Sequence, residues 1–224
     1  MSLVLKILLL LTASWTLLSL VVTAASRVWY REREGRGGPI PVSQAGGLTL
    51  PLRELLDPVS RILESFRLKS DQTVLEIGPG PGYFTPAAAG IVRPHGRVIC
   101  IELQPGMLAL LQKRLTARLV GNVDPLAADA TRLPLADASI DAAFLAAVFG
   151  EIPDRPRALE ELRRVLKPGA TLSFLETMRD SDYVYVDTLK DLCRAYGFEL
   201  IEQRPRFLGY TMTFAKPSES LVLA

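Results

Sequence analysis

Residues 74–82 read Val74-Leu75-Glu76-Ile77-Gly78-Pro79-Gly80-Pro81-Gly82, an apolar run that gives way at once to three glycines, and Tyr83 to Ile91 then follow with helical spacing. A strand that ends in a glycine turn and feeds a helix lets a ligand approach the backbone, because glycine tolerates positive φ and carries no side chain. The spacing is not that of a dinucleotide fingerprint. In G-x-G-x-x-G the last glycine would stand at position 83, but here the third glycine comes one residue early and Tyr83 holds that place. A tight turn without a ligand is the plain alternative, and the strand-loop-helix context weighs against it.

Working outward, short apolar runs alternate with helical patterns. Thr73–Ile77, Arg97–Ile101, Val123–Ala127, Ile140–Ala146 and Thr171–Leu175 read as strands, and Tyr83–Ile91, Pro105–Leu119 and Arg155–Leu166 as the helices between them. Such alternation predicts an α/β fold with a parallel sheet covered by helices on both faces. Near the C-terminus a helix around Asp182–Tyr196 stops at Gly197, and two further strands, Phe198–Gln203 and Tyr210–Ala215, bring the sheet to seven. The short link between them demands a hairpin, so the final strand is expected to be antiparallel. Upstream, Leu55, Leu56, Val59, Ile62, Leu63 and Phe66 recur at helical spacing, with Pro58 starting a new segment.

The N-terminal part follows other rules. Ile7 to Ala25 carries no charge and, at 1.5 Å per residue, spans about 28 Å as a helix, enough for a bilayer core. A cleaved leader ending near Thr23-Ala24-Ala25 is the rival reading, although the run exceeds the usual apolar core of such leaders. Lys6 stands alone before the run, whereas Arg27, Arg31, Arg33 and Arg36 follow it, which predicts a single-pass anchor with the C-terminal domain on the cytoplasmic side. Residues 1–30 are thus read as a membrane anchor, 31–50 as a polar, Gly- and Pro-containing linker, and 51–224 as one domain.

Composition excludes more than it assigns. With a net charge of +2 and no long basic run among 224 residues, nucleic acid is not an expected partner. Cys100 and Cys193 lie far apart inside regular elements and read as buried thiols, so neither a disulfide framework nor a metal site is expected. The single histidine, His95, sits in the turn Arg93-Pro94-His95-Gly96, which gives hydrolase triads no support. The charges of Arg155–Lys167 alternate with Ala158, Leu159, Leu162, Val165 and Leu166, so they are read as the solvated face of an amphipathic helix ended by Lys167-Pro168-Gly169.

Two acids complete the pattern begun by the glycine turn. Glu102 closes the second strand about twenty residues beyond the turn, where a carboxylate accepts hydrogen bonds from ribose hydroxyls; a surface acid at a strand end is the alternative. Asp129-Ala130 follow the third strand at a loop within reach of an adenine amino group, or else Asp129 only caps a turn.

Taken together, VLEIGPGPG, VICIEL, AADATRLPLADASIDAAF and EIPDRPRALEELRRVLKPGATLSF resemble the class I S-adenosylmethionine-dependent methyltransferases, most closely the branch with the ubiquinone and menaquinone biosynthesis enzymes. The resemblance is close over about residues 73–174 and implies a Rossmann-like, doubly wound seven-stranded sheet. It implies that Gly78, Gly80 and Gly82 line the methionine and ribose of S-adenosyl-L-methionine, that Glu76 helps hold the amino end, and that Glu102 binds the ribose hydroxyls with Leu103 beside the adenine. Asp129 would accept from the adenine N6 while the Ala130 backbone donates to the ring, and Leu145 and Ala146 would face the reacting centre through main-chain groups. Two departures stand out: Pro79 and Pro81 remove two backbone donors, and Ala170 follows Gly169 where the family often has glycine.

The implied activity is methyl transfer to a small acceptor, lipid-like or otherwise hydrophobic given the anchor. Alternatives are a protein that binds the cofactor without turnover and, less favoured by the turn spacing, a nucleotide-dependent oxidoreductase. Glu151, just beyond the fourth strand, is the candidate base or orienting acid, against a structural loop carboxylate. Tyr183, Tyr185 and Tyr210 are candidates for the acceptor pocket, against ordinary packing. Oligomeric state is not legible.

Overall fold

The computed structural model describes residues 38–49, 58–178, 180, 182–206 and 208–218. Seven strands form one sheet in the order β3-β2-β1-β4-β5-β7-β6: β1 (Thr73–Ile77), β2 (Arg97–Glu102), β3 (Val123–Ala127), β4 (Ile140–Ala146), β5 (Leu166–Thr177), β6 (Glu199–Arg206) and β7 (Gly209–Ala215). All neighbours are parallel except β7, which runs antiparallel to both β5 and β6. The helices are α1 (Val59–Ser65), α2 (Thr85–Ile91), α3 (Pro105–Ala117), α4 (Arg155–Val165) and α5 (Val186–Ala195), with 3-10 turns at Val42–Thr49 and Phe149–Glu151. The expected doubly wound seven-stranded sheet and its reversed last strand are both present.

Alternation along the strands sorts side chains to two cores. Val74, Val98, Cys100, Ala142 and Phe144 face one layer, where they meet Ile62 and Phe66 of the α1 region, Ala88 of α2 and Leu111 of α3. Leu75, Ile99, Ile101, Ala143 and Leu145 face the other, against Leu159 and Leu162 of α4 and Leu189 of α5. Central strands buried on both faces read as continuous apolar runs, which is what the sequence shows at 74–77 and 98–101.

Two boundaries differ from the sequence reading, each for a tertiary reason. α4 passes straight into β5 at Leu166, which pairs with Ile140 before the register shifts at Ala142. Gly169, at φ +77°, donates its N–H to the Lys216 carbonyl while the Lys216 N–H returns to Ala170, so the chain after β7 holds Lys167-Pro168-Gly169 within the strand as an irregularity. Likewise α5 begins at Val186 and not at Asp182, because Val184 donates its N–H to Glu176 at 3.2 Å and accepts the Tyr210 hydroxyl at 2.7 Å.

The charges of α4 form a solvated face only in part: Arg157, Glu160 and Arg163 are exposed, as expected, but others are not. Arg155 and Glu161 are buried, and Arg164 reaches the carbonyls of Leu133 and Leu135 and the carboxylates of Asp137 and Glu161, while Glu161 accepts the Leu133 N–H at 2.8 Å. Glu161 and Arg164 thus clamp the loop that follows Asp129, while Arg155 donates to the Gly150 carbonyl. Among the described residues no helix is long and apolar enough to cross a membrane. The expected anchor at 7–25 lies outside them, as does the Leu52–Asp57 part of the helix expected before β1; the remainder of that helix starts after Pro58.

Candidate active site

The sheet order reverses direction between β2-β1 and β4, and in parallel sheets a crevice opens beyond the strand ends at such a point. A cavity of about 600 Å³ lies there, lined by the ends of β1, β2 and β4, the loops after β3 and β5, and Pro39 and Ile40 from upstream.

The glycine turn forms its first wall. Gly78 extends the sheet by donating to the Ile101 carbonyl at 2.8 Å, at φ +65°. A Cβ on Gly78 would stand 2.6 Å from Val148 Cγ2, so the β1 and β4 ends close together only over glycine. Between Pro79 and Pro81 the sole N–H is that of Gly80, and it donates to Glu102 at 3.1 Å. Glu102 is 6 % exposed; its other oxygen accepts the Gln104 N–H at 2.9 Å. Each carboxylate oxygen thus takes one backbone donor and keeps lone-pair capacity toward the cavity that the residue lines.

Glu76 is buried beneath this wall. Desolvation pushes its carboxyl up to about 7, opposed by Thr85 and Cys100 beside it, with Glu102 adding repulsion; the Cys100 Sγ lies 3.6 Å away. Burial thus favours its protonated form, and a cationic partner beside it would favour the ionised one.

On the third wall, Leu103 is 57 % exposed and flanks the cavity, an apolar plate left open to solvent. Asp129 and Ala130 line it too. One Asp129 oxygen accepts both the Thr131 N–H and hydroxyl at 2.8 Å, so the residue shapes the turn and faces the cavity at once.

The far end is built by β4, β5 and the 3-10 turn at Phe149–Glu151. Ala146, Ala147, Val148, Glu151, Leu175, Thr177 and Asp180 line it. Ala147 adopts φ +59°, rare for a residue with a Cβ, and its N–H is fixed to the Leu175 carbonyl at 2.8 Å. Burial pushes the Glu151 carboxyl up to about 8, with Asp182, Asp180 and Glu102 adding to the rise and the nearby Ile40 backbone opposing it. Three strand spacings of about 4.8 Å separate the ends of β2 and β5, so the cavity runs on the order of 14 Å across the sheet edge.

Of the eleven residues expected at the site, two stand apart from the lining. Gly82 is buried at φ +81° against Leu111 and gives its carbonyl to Arg114, so it shapes the entry to α2. Leu145 is fully buried in the core, and its neighbour Ala146 takes the cavity-facing place. The three tyrosines are absent from the lining as well. Tyr183 stacks edge-on against Tyr185 and Tyr210 within the core, as packing predicts.

The sequence reading missed Pro39, Ile40 and Val42. These fall in the segment read as a linker, yet Ala45 is 4 % exposed, Val42 sits over Gly106, and Gln104 donates to the Ile40 carbonyl at 3.0 Å. Only the isolated apolar trio Ile40, Val42 and Ala45 in a polar stretch hinted at it. Ala147 and Asp180 gave no sequence signal.

Apart from the Tyr83 phenol, every ionisable side chain in the lining is a carboxyl group: Glu76, Glu102, Asp129, Glu151, Asp154 and Asp180. The residues fit S-adenosylmethionine. Their negative field suits a sulfonium and an ammonium group, Glu102 offers acceptors for paired hydroxyls, and Leu103 offers an apolar face for a base.

Comparison with known proteins agrees. The family described as "Methyltransferase domain" matches residues 75–174. The ubiquinone/menaquinone biosynthesis C-methyltransferase UbiE of Klebsiella pneumoniae is 30% identical over 135 residues, covering 60% of this chain and 52% of the relative. That of Vibrio campbellii is 33% identical over 131 residues, covering 58% and 49%. The chain spans about half the length of these curated relatives. A crystal structure of a SAM-dependent methyltransferase from Aquifex aeolicus superposes with a TM-score of 0.75 over 80% of this chain and 100% of its own, at 24% identity, and shows the shared fold. Residues 75–174 thus form a methyltransferase domain of the class I S-adenosylmethionine-dependent kind, related to that of the ubiquinone/menaquinone biosynthesis C-methyltransferases.

Proposed function

We propose that the chain transfers the methyl group of S-adenosylmethionine to a small, neutral and largely apolar acceptor at a membrane surface. One observation carries the reading: a single cavity of about 600 Å³ is lined by Glu102 and Leu103, suited to a nucleoside, and also by Glu151. Ile40, Val148, Ile152, Pro153 and Leu175 add apolar walls. The described lining holds no lysine, arginine or histidine, so an anionic acceptor would find no cationic side chain there and would be repelled by the ionised carboxylates.

When bound, S-adenosylmethionine supplies an already activated methyl electrophile. What the chain must do is hold the acceptor in line and exclude water, and such orientation supplies up to about 7–11 kcal/mol of barrier reduction. Gly78, Gly80 and Glu102 would grip the nucleoside and Glu76 its ammonium. Asp129 and Ala130 would meet the adenine, and Ala146 would border the reacting atoms. Glu151, protonated below about pH 8, hydrogen-bonds an acceptor hydroxyl or carbonyl; ionised, it removes a proton from the nucleophile.

The uncharged stretch Ile7–Ala25 supports a single-pass anchor with this domain on the cytoplasmic side, where the cofactor is made available. The role in quinone biosynthesis that the relatives' name gives is in keeping with an acceptor that partitions into lipid. Calorimetry with S-adenosylmethionine, its demethylated product and NAD tests the cofactor. Mass spectrometry of a membrane extract incubated with labelled cofactor tests the acceptor: a lipid-soluble species that gains one methyl supports the reading, and labelling confined to anionic metabolites, or absent, rejects it. Cofactor binding without any labelled product would favour a protein that binds S-adenosylmethionine without turnover.

A further inference from the structure

Every N–H of the glycine turn already has a partner. Gly78 donates to the Ile101 carbonyl at 2.8 Å, Gly80 to the Glu102 carboxylate at 3.1 Å, and Gly82 back to the Pro79 carbonyl at 3.0 Å. Pro79 and Pro81 have no N–H to give. At the start of α2, Pro86 removes a further donor, and Ala87 and Ala88 both turn to the Phe84 carbonyl.

A run of unpaired backbone N–H groups makes a concavity that binds anions. This turn is instead closed, onto β2 through Gly78 and Gly80 and onto itself through Gly82. S-adenosylmethionine ends in an amino-acid tail with an ammonium and a carboxylate. The ammonium has a partner in Glu76, a cavity-lining acid only 2 % exposed. The carboxylate meets a turn without donors and, among the described lining residues, other carboxylates and no lysine, arginine or histidine.

We propose that the closed turn leaves the tail carboxylate unheld. The site then recognises the tail by its ammonium at Glu76, and takes adenosine thioethers with a basic, carboxylate-free tail at least as well as S-adenosylhomocysteine. The inference rests on the reading of this cavity as an S-adenosylmethionine site. A carboxylate that gains no hydrogen bond on entering still loses hydration, so its removal costs no affinity. Repulsion from the acids around it acts in the same direction and is strongest at low salt.

Calorimetry of the full chain against three thioethers tests this: S-adenosylhomocysteine, its decarboxylated counterpart with a 3-aminopropyl tail, and 5′-methylthioadenosine, which carries neither charge. The aminopropyl compound should bind no more than about threefold more weakly than S-adenosylhomocysteine, and gain on it as salt is lowered. The methylthio compound should be weaker than the aminopropyl one by about tenfold or more, the effect of one lost charge-assisted hydrogen bond. Glu76→Gln should shrink that last gap by about threefold or more, with far-ultraviolet circular dichroism unchanged. If the variant does not fold, the ranking of the three ligands on the unmodified protein still decides. S-adenosylhomocysteine binding more than about threefold tighter than the aminopropyl compound shows a held carboxylate and overturns the proposal, while leaving the methyltransferase reading standing. A methylthio compound within about tenfold of the aminopropyl one, or a gap unchanged in Glu76→Gln, overturns recognition through the ammonium. Failure of all three to bind overturns both.

Discussion

The only backbone N–H between Pro79 and Pro81 is that of Gly80, and it points at the Glu102 carboxylate, 3.1 Å away. Turn and strand end thus share one hydrogen bond, and the prolines leave the turn no competing donor at those positions. Glu102→Ala removes this acceptor, the Gln104 contact and the acceptors for ribose. S-adenosylmethionine should bind more weakly by about 1–3 kcal/mol in calorimetry. An unchanged affinity rejects the ribose role.

Glu151 makes the protein pH-sensitive. Its carboxyl is raised from 4.5 to about 8 on folding, so between those values the native state holds a proton that the unfolded chain has lost. Stability conferred at low pH is then lost progressively from about pH 4.5 to about pH 8. Glu76, raised to about 7, acts in the same sense over the lower part of that window. Thermal melts should show Glu151→Gln gaining on the unmodified protein as pH climbs from 5 to 8.5. A difference that is flat with pH would show that the carboxyl titrates normally.

Arg164 and Arg157 lie on the same helix and contact the same acid, yet they should behave differently. Arg157 is half exposed and pairs with Glu160 and Glu161 at the surface, so Arg157→Ala should change stability by less than about 1 kcal/mol. Arg164→Ala leaves Glu161 without its close partner and frees the Leu133 and Leu135 carbonyls, costing about 1–3 kcal/mol in urea melts. Because the loop it clamps follows Asp129, a smaller loss of cofactor affinity should accompany the loss of stability. Equal effects of the two substitutions would contradict the clamp.

Ala147 holds φ +59° at the cavity wall. Glycine at this position relieves the crowding of Cβ, so Ala147→Gly should raise the thermal midpoint, by an amount worth up to about 1 kcal/mol. Ala147→Val should lower it, since branching at Cβ worsens the same clash. A lower midpoint for the glycine variant would show that this backbone is not strained.

The parts of this fold legible in the sequence are those written in local periodicity. Val74, Leu75 and Ile77, or Val98 to Ile101, must be strands buried on both sides, and the glycines after Ile77 can only end one. Boundaries set by distant groups were not legible. Nothing near Asp182 reveals that Glu176 and Tyr210 will engage the backbone of Val184 and delay α5, and nothing in Lys167-Pro168-Gly169 reveals the Lys216 peptide that keeps it in β5. The site divides in the same way. Glu102 and Asp129 are marked by their distance from the glycine turn, whereas Ile40 joins the cavity through a contact 64 residues away in sequence. Charge pattern misled at Arg155 and Glu161, because alternation describes a helix face without saying what covers it.

Seating residues 38–49 on the domain also shortens whatever connects it to the apolar N-terminal stretch. Only positions 26–37 remain between Ala25 and Gly38, and twelve residues at full extension reach no more than about 43 Å. A bilayer-embedded N-terminus would therefore keep the domain on a short leash, fastened beside the mouth of its own cavity. Lengthening that leash should alter access to a lipid-borne acceptor while leaving a water-soluble one indifferent.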